Sequence, residues 1–419
     1  MTEAATMHPE IYAPAWDAPG EGIYDYYREF RERGPIARTA ATWPIGLPGV
    51  AILRFEDVHA GLRDGRLRRE IRPLMPDGWQ PEAAPRSTIA DVFSGFMLFR
   101  DPPDHTRLRS AANLAFTPRR VEAMRPAITA LANDLVDGLV ASDEPKDLIR
   151  AFAYPLPIMV ISEMLGIPRE DFPRFRDWSM VIAAAIDIPP ARIEDFAARA
   201  DRSAAELVEY LTGIVEERRV QPRADLISSL IHAETTEGRI TTGELISTCI
   251  LLLVAGHETT VNLITNGMLA LLSHPNQWTM LVENPGLAMN ATEELLRFDS
   301  PVQMTDRLAH EDVTIAGETV PRGTNVQLVL GSANRDPRVF RDPDRLDIQR
   351  DVGRLMSFGQ GIHFCLGAAL ARLEGEIAFG ALARLAPELA LAPGTHRWRP
   401  GLALRGLEEL LVTPHQVTP

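Results

Sequence analysis

Between Leu245 and Ser273 the chain carries no proline, and its apolar residues fall on nearly every face of a helix. Thr241 followed by Glu244 has the spacing of a capping box, and His274-Pro275 supplies a stop. About thirty residues at 1.5 Å each predict a helix of roughly 45 Å, and one that is apolar all round has to run through the interior. The fold must therefore be assembled around this element. It also leaves the polar cluster Gly256-His257-Glu258-Thr259-Thr260 in a place where unpaired polar groups are costly. Such a cluster has two uses. Thr259 and Thr260 can bond back to carbonyls one turn earlier while Glu258 finds a basic partner, which is structural; or the cluster does chemistry. A zinc protease is excluded, because its second histidine would be needed at 261 and Val261 is there.

The rest of the chain reads as one mainly α domain, 1–419, with a minor β region. Segments at about 36–55 and 313–330 alternate like strands of small sheets, the first around a turn at Trp43-Pro44-Ile45-Gly46-Leu47-Pro48. A helical body spans about 102–292, and 358–385 reads as a glycine-rich loop followed by a helix from Ala368 to Leu385. Two stretches, Ile71 to Met97 and Ile186 to Asp195 with its Ile188-Pro189-Pro190 turn, read as irregular loops, either lids or binding loops or plain solvated excursions.

A formal net charge of −14 argues against nucleic acid as a partner. Two cysteines, Cys249 and Cys365, exclude a disulfide framework and fit a reducing cytoplasm. The most apolar run, Cys249 to Ala255, falls far short of the roughly 20 residues that span a bilayer, so no membrane partner is expected. A lone cysteine is usually a small buried hydrophobe. Cys365 stands elsewhere, in Phe358-Gly359-Gln360-Gly361-Ile362-His363-Phe364-Cys365-Leu366-Gly367. Gly359 and Gly361 permit a tight loop with N–H groups turned to the sulfur, and the helix that comes next sets its positive end beside it. Both favour a thiolate, the form that ligates metal.

This loop resembles the haem-binding signature of the cytochrome P450 superfamily, with Phe358, Gly361, His363, Cys365 and Gly367 in the family's places. Ala255 to Thr260 is similar to the family's oxygen-activating motif, and Glu294-Leu295-Leu296-Arg297 to its Glu-x-x-Arg motif. Phe340 to Leu346 resembles the segment whose arginine completes that ion network, which makes Arg345 the expected third member. His105-Thr106-Arg107-Leu108-Arg109 resembles the helix that holds haem propionates, with His105 and Arg109 on one face. Arg307 and His363 match further propionate partners.

The resemblance implies a soluble, bacterial-type fold with a long central helix over haem b, iron protoporphyrin IX, and Cys365 as the axial ligand. It implies a monooxygenase that inserts one atom of O2 into an apolar small molecule by hydroxylation or epoxidation. Electrons would come from a separate ferredoxin or flavodoxin and its reductase, docked over the Cys365 side near Arg119, Arg120 and Arg354. Glu258 and Thr259 would relay protons, and Gly256 would let the helix open locally. Val254, Ala255, Val302 and Met304 would line the substrate pocket. Two alternatives remain open: a peroxide-driven haem-thiolate enzyme, and a non-catalytic haem carrier or sensor.

Overall fold

The computed structural model describes residues 20–414 except 21, 43–46, 76–86, 115, 187–192, 236–237, 395 and 402. The turns expected at Trp43 to Gly46 and at Ile188-Pro189-Pro190 lie outside the described residues. In chain order the helices that position the site are α1 (Ile23–Arg33), α2 (Thr88–Ser94), α3 (Asp104–Asn113), α4 (Arg125–Leu139), α5 (Pro155–Leu165) and α6 (Phe172–Ile186), then α7 (Ile193–Val220), α8 (Thr242–Ser273), α9 (Ala288–Phe298) and α10 (Ala368–Leu385). The strands that support them are β1 (Ile36–Thr42), β2 (Leu47–Ile52), β3 (Leu67–Arg68), β4 (Thr305–Ala309), β5 (Val313–Ile315), β6 (Glu318–Val320), β7 (Asn325–Leu328), β8 (Arg397–Trp398) and β9 (Leu407–Glu409).

The fold is mainly helical and is organised around α8. Its capping box is formed in both directions, the Thr241 hydroxyl accepting from the Glu244 N–H and the Glu244 carboxylate accepting from the Thr241 N–H. By length and composition α8 could cross a membrane, yet 83% of its most apolar window is buried inside the protein. The long helix packs against α5, α6, α9 and α10. Ahead of α5 the chain makes a π-helical turn, Ile149–Ala153, which delivers Tyr154 to the α8 surface.

One mixed sheet has the order β1-β2-β7-β4-β3, with β7 parallel to β2 and antiparallel to β4. Its two faces bury different sets, as the two-residue period of a strand requires. Val50, Ile52, Val326 and Leu328 join the main core, whereas Ala37, Ala51 and Leu53 face a smaller cluster built on Ile23, Tyr27 and Phe30 of α1.

Within the Ile71 to Met97 stretch 76–86 lie outside the described residues, and the described part is less irregular than expected. It contains the helix α2, preceded by a 3₁₀ turn at Arg72–Leu74. Within Ile186 to Asp195, Ile186 closes α6 and α7 begins at Ile193.

Candidate active site

Cys365 sits between a strained loop and the start of α10. Gly359 and Gly361 both have positive φ, 64° and 73°. At Gly361 a Cβ would also lie 2.5 Å from the Leu62 carbonyl, so the residue serves conformation and close approach together. The Cys365 N–H donates to the Phe358 carbonyl at 2.9 Å, and the Arg372 guanidinium lies 4.4 Å over the Phe358 ring. These contacts fix a partly buried sulfur. Burial pushes the Cys365 thiol up, while the Gly367 N–H and the charges of Arg109 and Arg372 pull it down. A coordinated metal would decide that balance, because a thiol bound to one loses its proton.

Beside the loop lies a concentration of cations. His105 and His363 approach with ring centroids 4.4 Å apart, and Arg307 is buried. Burial, with Arg69 close by, lowers the Arg307 pKa to about 9. Burial and the charge of Arg307 push His363 down to about 2, and burial also lowers His105. The Nε2 atom of His363 is buried with no hydrogen-bond partner. On α3, His105 and Arg109 face this group, while Arg107 faces the other way and bonds Glu244 at the start of α8. Arg69 belongs to the set although no local pattern around it signals the role: its buried guanidinium pairs with Asp306 at 3.0 Å and bonds the Leu98 carbonyl at 2.9 Å. A planar group that carries carboxylates on one edge and a metal at its centre fits these residues. The cations suit the carboxylates, the orphaned His363 nitrogen suits one oxygen, and the lone sulfur suits the metal.

On α8, Ala255 is exposed and Thr259 partly so, one turn apart on a helix whose other residues nearby are buried. The Thr259 hydroxyl donates to the Ala255 carbonyl at 2.8 Å and that of Thr260 to the Gly256 carbonyl at 3.1 Å. Glu258 is buried and ion-paired to Arg399, so the structural use of the cluster is realised in full. It coexists with an accessible hydroxyl. The helix is continuous through Gly256, contrary to the expected local opening. His257 is fully buried and held on both sides, its Nδ1 bonded to the Leu253 carbonyl at 2.8 Å and its Nε2 lying 3.3 Å from the Tyr154 hydroxyl. Another buried acid escapes a reading of the sequence: Glu374 of α10 is pushed up to about 8 by burial, which the nearby Thr260 hydroxyl opposes.

Away from this site, Glu294 and Arg297 form a doubly bonded pair at 2.7 and 2.8 Å, both side chains fully buried. The third member is Arg350, 3.2 Å from Glu294, and not Arg345. The chain turns at Asp342, whose φ is 46°, and from there Arg345 points its guanidinium outward to Asp347 and only its carbonyl inward, to Arg297 and Arg350. Met304 also departs from expectation. It is buried with Ile23 and Tyr27 on the α1 face of the sheet, whereas Val254 packs in the main core and Val302 packs against it, bridging to Leu404. Arg119 and Arg120 are exposed, but Arg354 is paired with Glu56.

Comparison with known proteins matches this arrangement from several directions. The cytochrome P450 family model covers residues 81–384. The chain is 43% identical to the polyketide biosynthesis cytochrome P450 PksS of Bacillus subtilis, over 92% of this chain and 94% of that one. It is 41% identical to the vitamin D(3) 25-hydroxylase of Pseudonocardia autotrophica, over 99% and 98%. Among solved structures, P450BioI in complex with a hexadec-9Z-enoic acid-ligated acyl carrier protein superposes with a TM-score of 0.86 at 38% identity, over 96% and 100%. With its family model, its relatives and its fold all in agreement, the chain belongs to the cytochrome P450 family of monooxygenases.

Proposed function

We propose that the protein binds haem b through Cys365 and inserts one atom of O2 into an apolar small molecule, by hydroxylation or epoxidation. Electrons come from a separate ferredoxin or flavodoxin with its reductase, in the cytoplasm. The observation that carries this reading is the accessible Thr259 hydroxyl next to the buried, ion-paired Glu258, in the middle of a largely buried helix. A carrier or sensor has no need of that pair.

When bound, the haem supplies dioxygen activation, and a thiolate ligand favours O–O cleavage by donating electron density. His105, Arg109, Arg307 and His363 hold its carboxylates by charge-assisted hydrogen bonds. Phe358, Gly361 and Gly367 shape the loop that presents the sulfur. Thr259 Oγ1 holds a proton at the accessible face of α8, and Glu258 replaces that proton from solvent, a general-acid role. Ala255 leaves room beside Thr259, and Val254 and Val302 add apolar surface. The names of the relatives support an apolar substrate, since they speak of polyketides, vitamin D and a fatty acyl chain.

The test is Thr259→Ala in holoenzyme driven by NADPH through a surrogate ferredoxin and reductase, with hexadec-9Z-enoic acid as the substrate probe. Oxygen and NADPH consumption should persist while product falls by about 10²-fold, the missing electrons appearing as hydrogen peroxide. Wild-type coupling of electrons to product in Thr259→Ala would overturn the relay and bring the peroxide-driven reading forward.

A further inference from the structure

Glu258 lies in the middle of a buried helix, yet the charge that balances it comes from a strand pair 141 residues further along the chain. Arg399 comes directly after β8, and its backbone N–H continues the β8–β9 ladder to the Gly406 carbonyl at 2.9 Å. From there its guanidinium reaches α8 with both ends engaged, Nη1 on Glu258 Oε1 and Nη2 on Asn262 Oδ1, one turn further on. Gly406 makes the approach possible. A Cβ there would fall 2.0 Å from Asn262 Oδ1 and 2.6 Å from Arg399 Nη2.

Among the described residues, the other face of Glu258 offers no competing cation. His257 Nε2 is 3.8 Å from Glu258 Oε2, but burial lowers the pKa of this imidazole, leaving it neutral. With Nδ1–H given to the Leu253 carbonyl, Nε2 is an acceptor that receives the Tyr154 hydroxyl and cannot donate to the carboxylate. The side chain of Arg399 retains 35% of its exposure, against 6% for Glu258. Among the described residues, Arg399 thus both neutralises Glu258 and connects it with solvent.

We propose that Arg399 is a positioning residue for proton delivery, holding the Glu258 carboxylate at the water-facing edge of α8 so that protons enter from the β8–β9 side. A proton from solvent binds a Glu258 oxygen and is passed towards Thr259, which restores the carboxylate. Arg399 positions the carboxylate and takes no proton in this step. The inference rests on the relay role proposed for Glu258 and Thr259.

Two independent readouts test it. In the holoenzyme assay with hexadec-9Z-enoic acid, Arg399→Gln should slow oxygen consumption about 10-fold, short of the roughly 10²-fold that displacing a reacting group can cost. Its solvent deuterium isotope effect should rise, and Arg399→Lys should restore most of the rate. The second readout needs no turnover. Arg399→Gln should lower the melting temperature by about 4 °C, because it strands a buried carboxylate, and adding Glu258→Gln should return most of that loss. Wild-type rate and isotope effect in Arg399→Gln, a lysine variant as slow as the glutamine one, or strictly additive melting shifts would each overturn the proposal. If Thr259→Ala uncouples the enzyme but Arg399→Gln changes nothing, only this inference fails. If Thr259→Ala stays coupled while the melting cycle is non-additive, the ion pair stands and the relay reading fails.

Discussion

The wall built on Glu294 and Arg297 and the lid that α2, α6 and α7 are proposed to form are held together by different means. In the wall, Glu294 and Arg297 are fully buried and saturated: Arg297 donates to both Glu294 oxygens and to the carbonyls of Asn334 and Pro343. Each partner there depends on the others, and removing one leaves an orphaned charge in a low-dielectric place. In the lid, α6 packs on α7 through Phe175, Trp178 and Tyr210, and single polar contacts tie its edges. Asp201 of α7 accepts from the Ser87 hydroxyl at 2.8 Å and from the Ile89 N–H at 3.1 Å, which ties the first turn of α2 down. Trp178 of α6 donates to Glu206 of α7 at 2.7 Å. Polar contacts of this kind break one at a time at small cost. The Glu294 network is thus closed on itself, whereas the α2–α6–α7 group has polar ties that can be lost singly.

That contrast can be broken in order of size. The largest loss is expected at Arg297→Leu, which strands Glu294 and should cost about 3–5 kcal/mol, enough to deplete folded protein. Chemical denaturation checks it, and the same measurement on Arg345→Ala should show a change within about 0.5 kcal/mol, since that guanidinium is on the surface. Equal losses at the two arginines would erase the assignment of Arg350 as the third member. Next comes Arg109→Leu. It removes a cation from the cluster that suits the carboxylates, so haem content per chain after purification should drop by about half or more, with one charge-assisted bond worth roughly 1.5–3 kcal/mol. Unchanged haem content would separate Arg109 from the cofactor. The smallest effect is expected at Asp201→Asn, a loss of about 1 kcal/mol or less from the lid. Dissociation of hexadec-9Z-enoic acid, monitored by stopped-flow Soret change, should quicken roughly 3-fold while haem content stays constant. A drop in haem content there instead would mean that lid and wall are one unit.

The same division explains which parts of the molecule are legible in the chain alone. The ends of α8 and α10 are set by local signals, a capping box and His274-Pro275 for one and Gly367 for the other, and both can be read. So can the Cys365 loop, because Gly359 and Gly361 announce the backbone they must adopt. Partners supplied by distant segments leave no trace. Arg399 reaches Glu258 from beyond α10, and Arg69 joins the cation cluster from the edge of the sheet beyond β3. Arg345 is the expected third arginine and Arg350 the actual one, because a turn at Asp342 decides which guanidinium faces inward. Met304 lies two residues from Val302, yet the sheet sends it to the other core. Helix α2 reads as loop because Thr88, Ile89, Val92 and Phe93 are poor helix formers, and its helical state is secured by packing on α7 and by Asp201.

On this account Cys365, and not Cys249, is the sulfur that faces a metal. Cys249 is fully buried in α8, and burial pushes its thiol up to about 12, which keeps it protonated and inert. The direct measurement is the absorption spectrum of the dithionite-reduced, carbon monoxide-treated holoprotein, in which a red-shifted Soret band reports thiolate ligation. Cys365→Ser should lose that band while Cys249→Ser keeps it at full intensity per haem. Survival of the band in Cys365→Ser, or its loss in Cys249→Ser alone, would contradict the assignment on which the site is built.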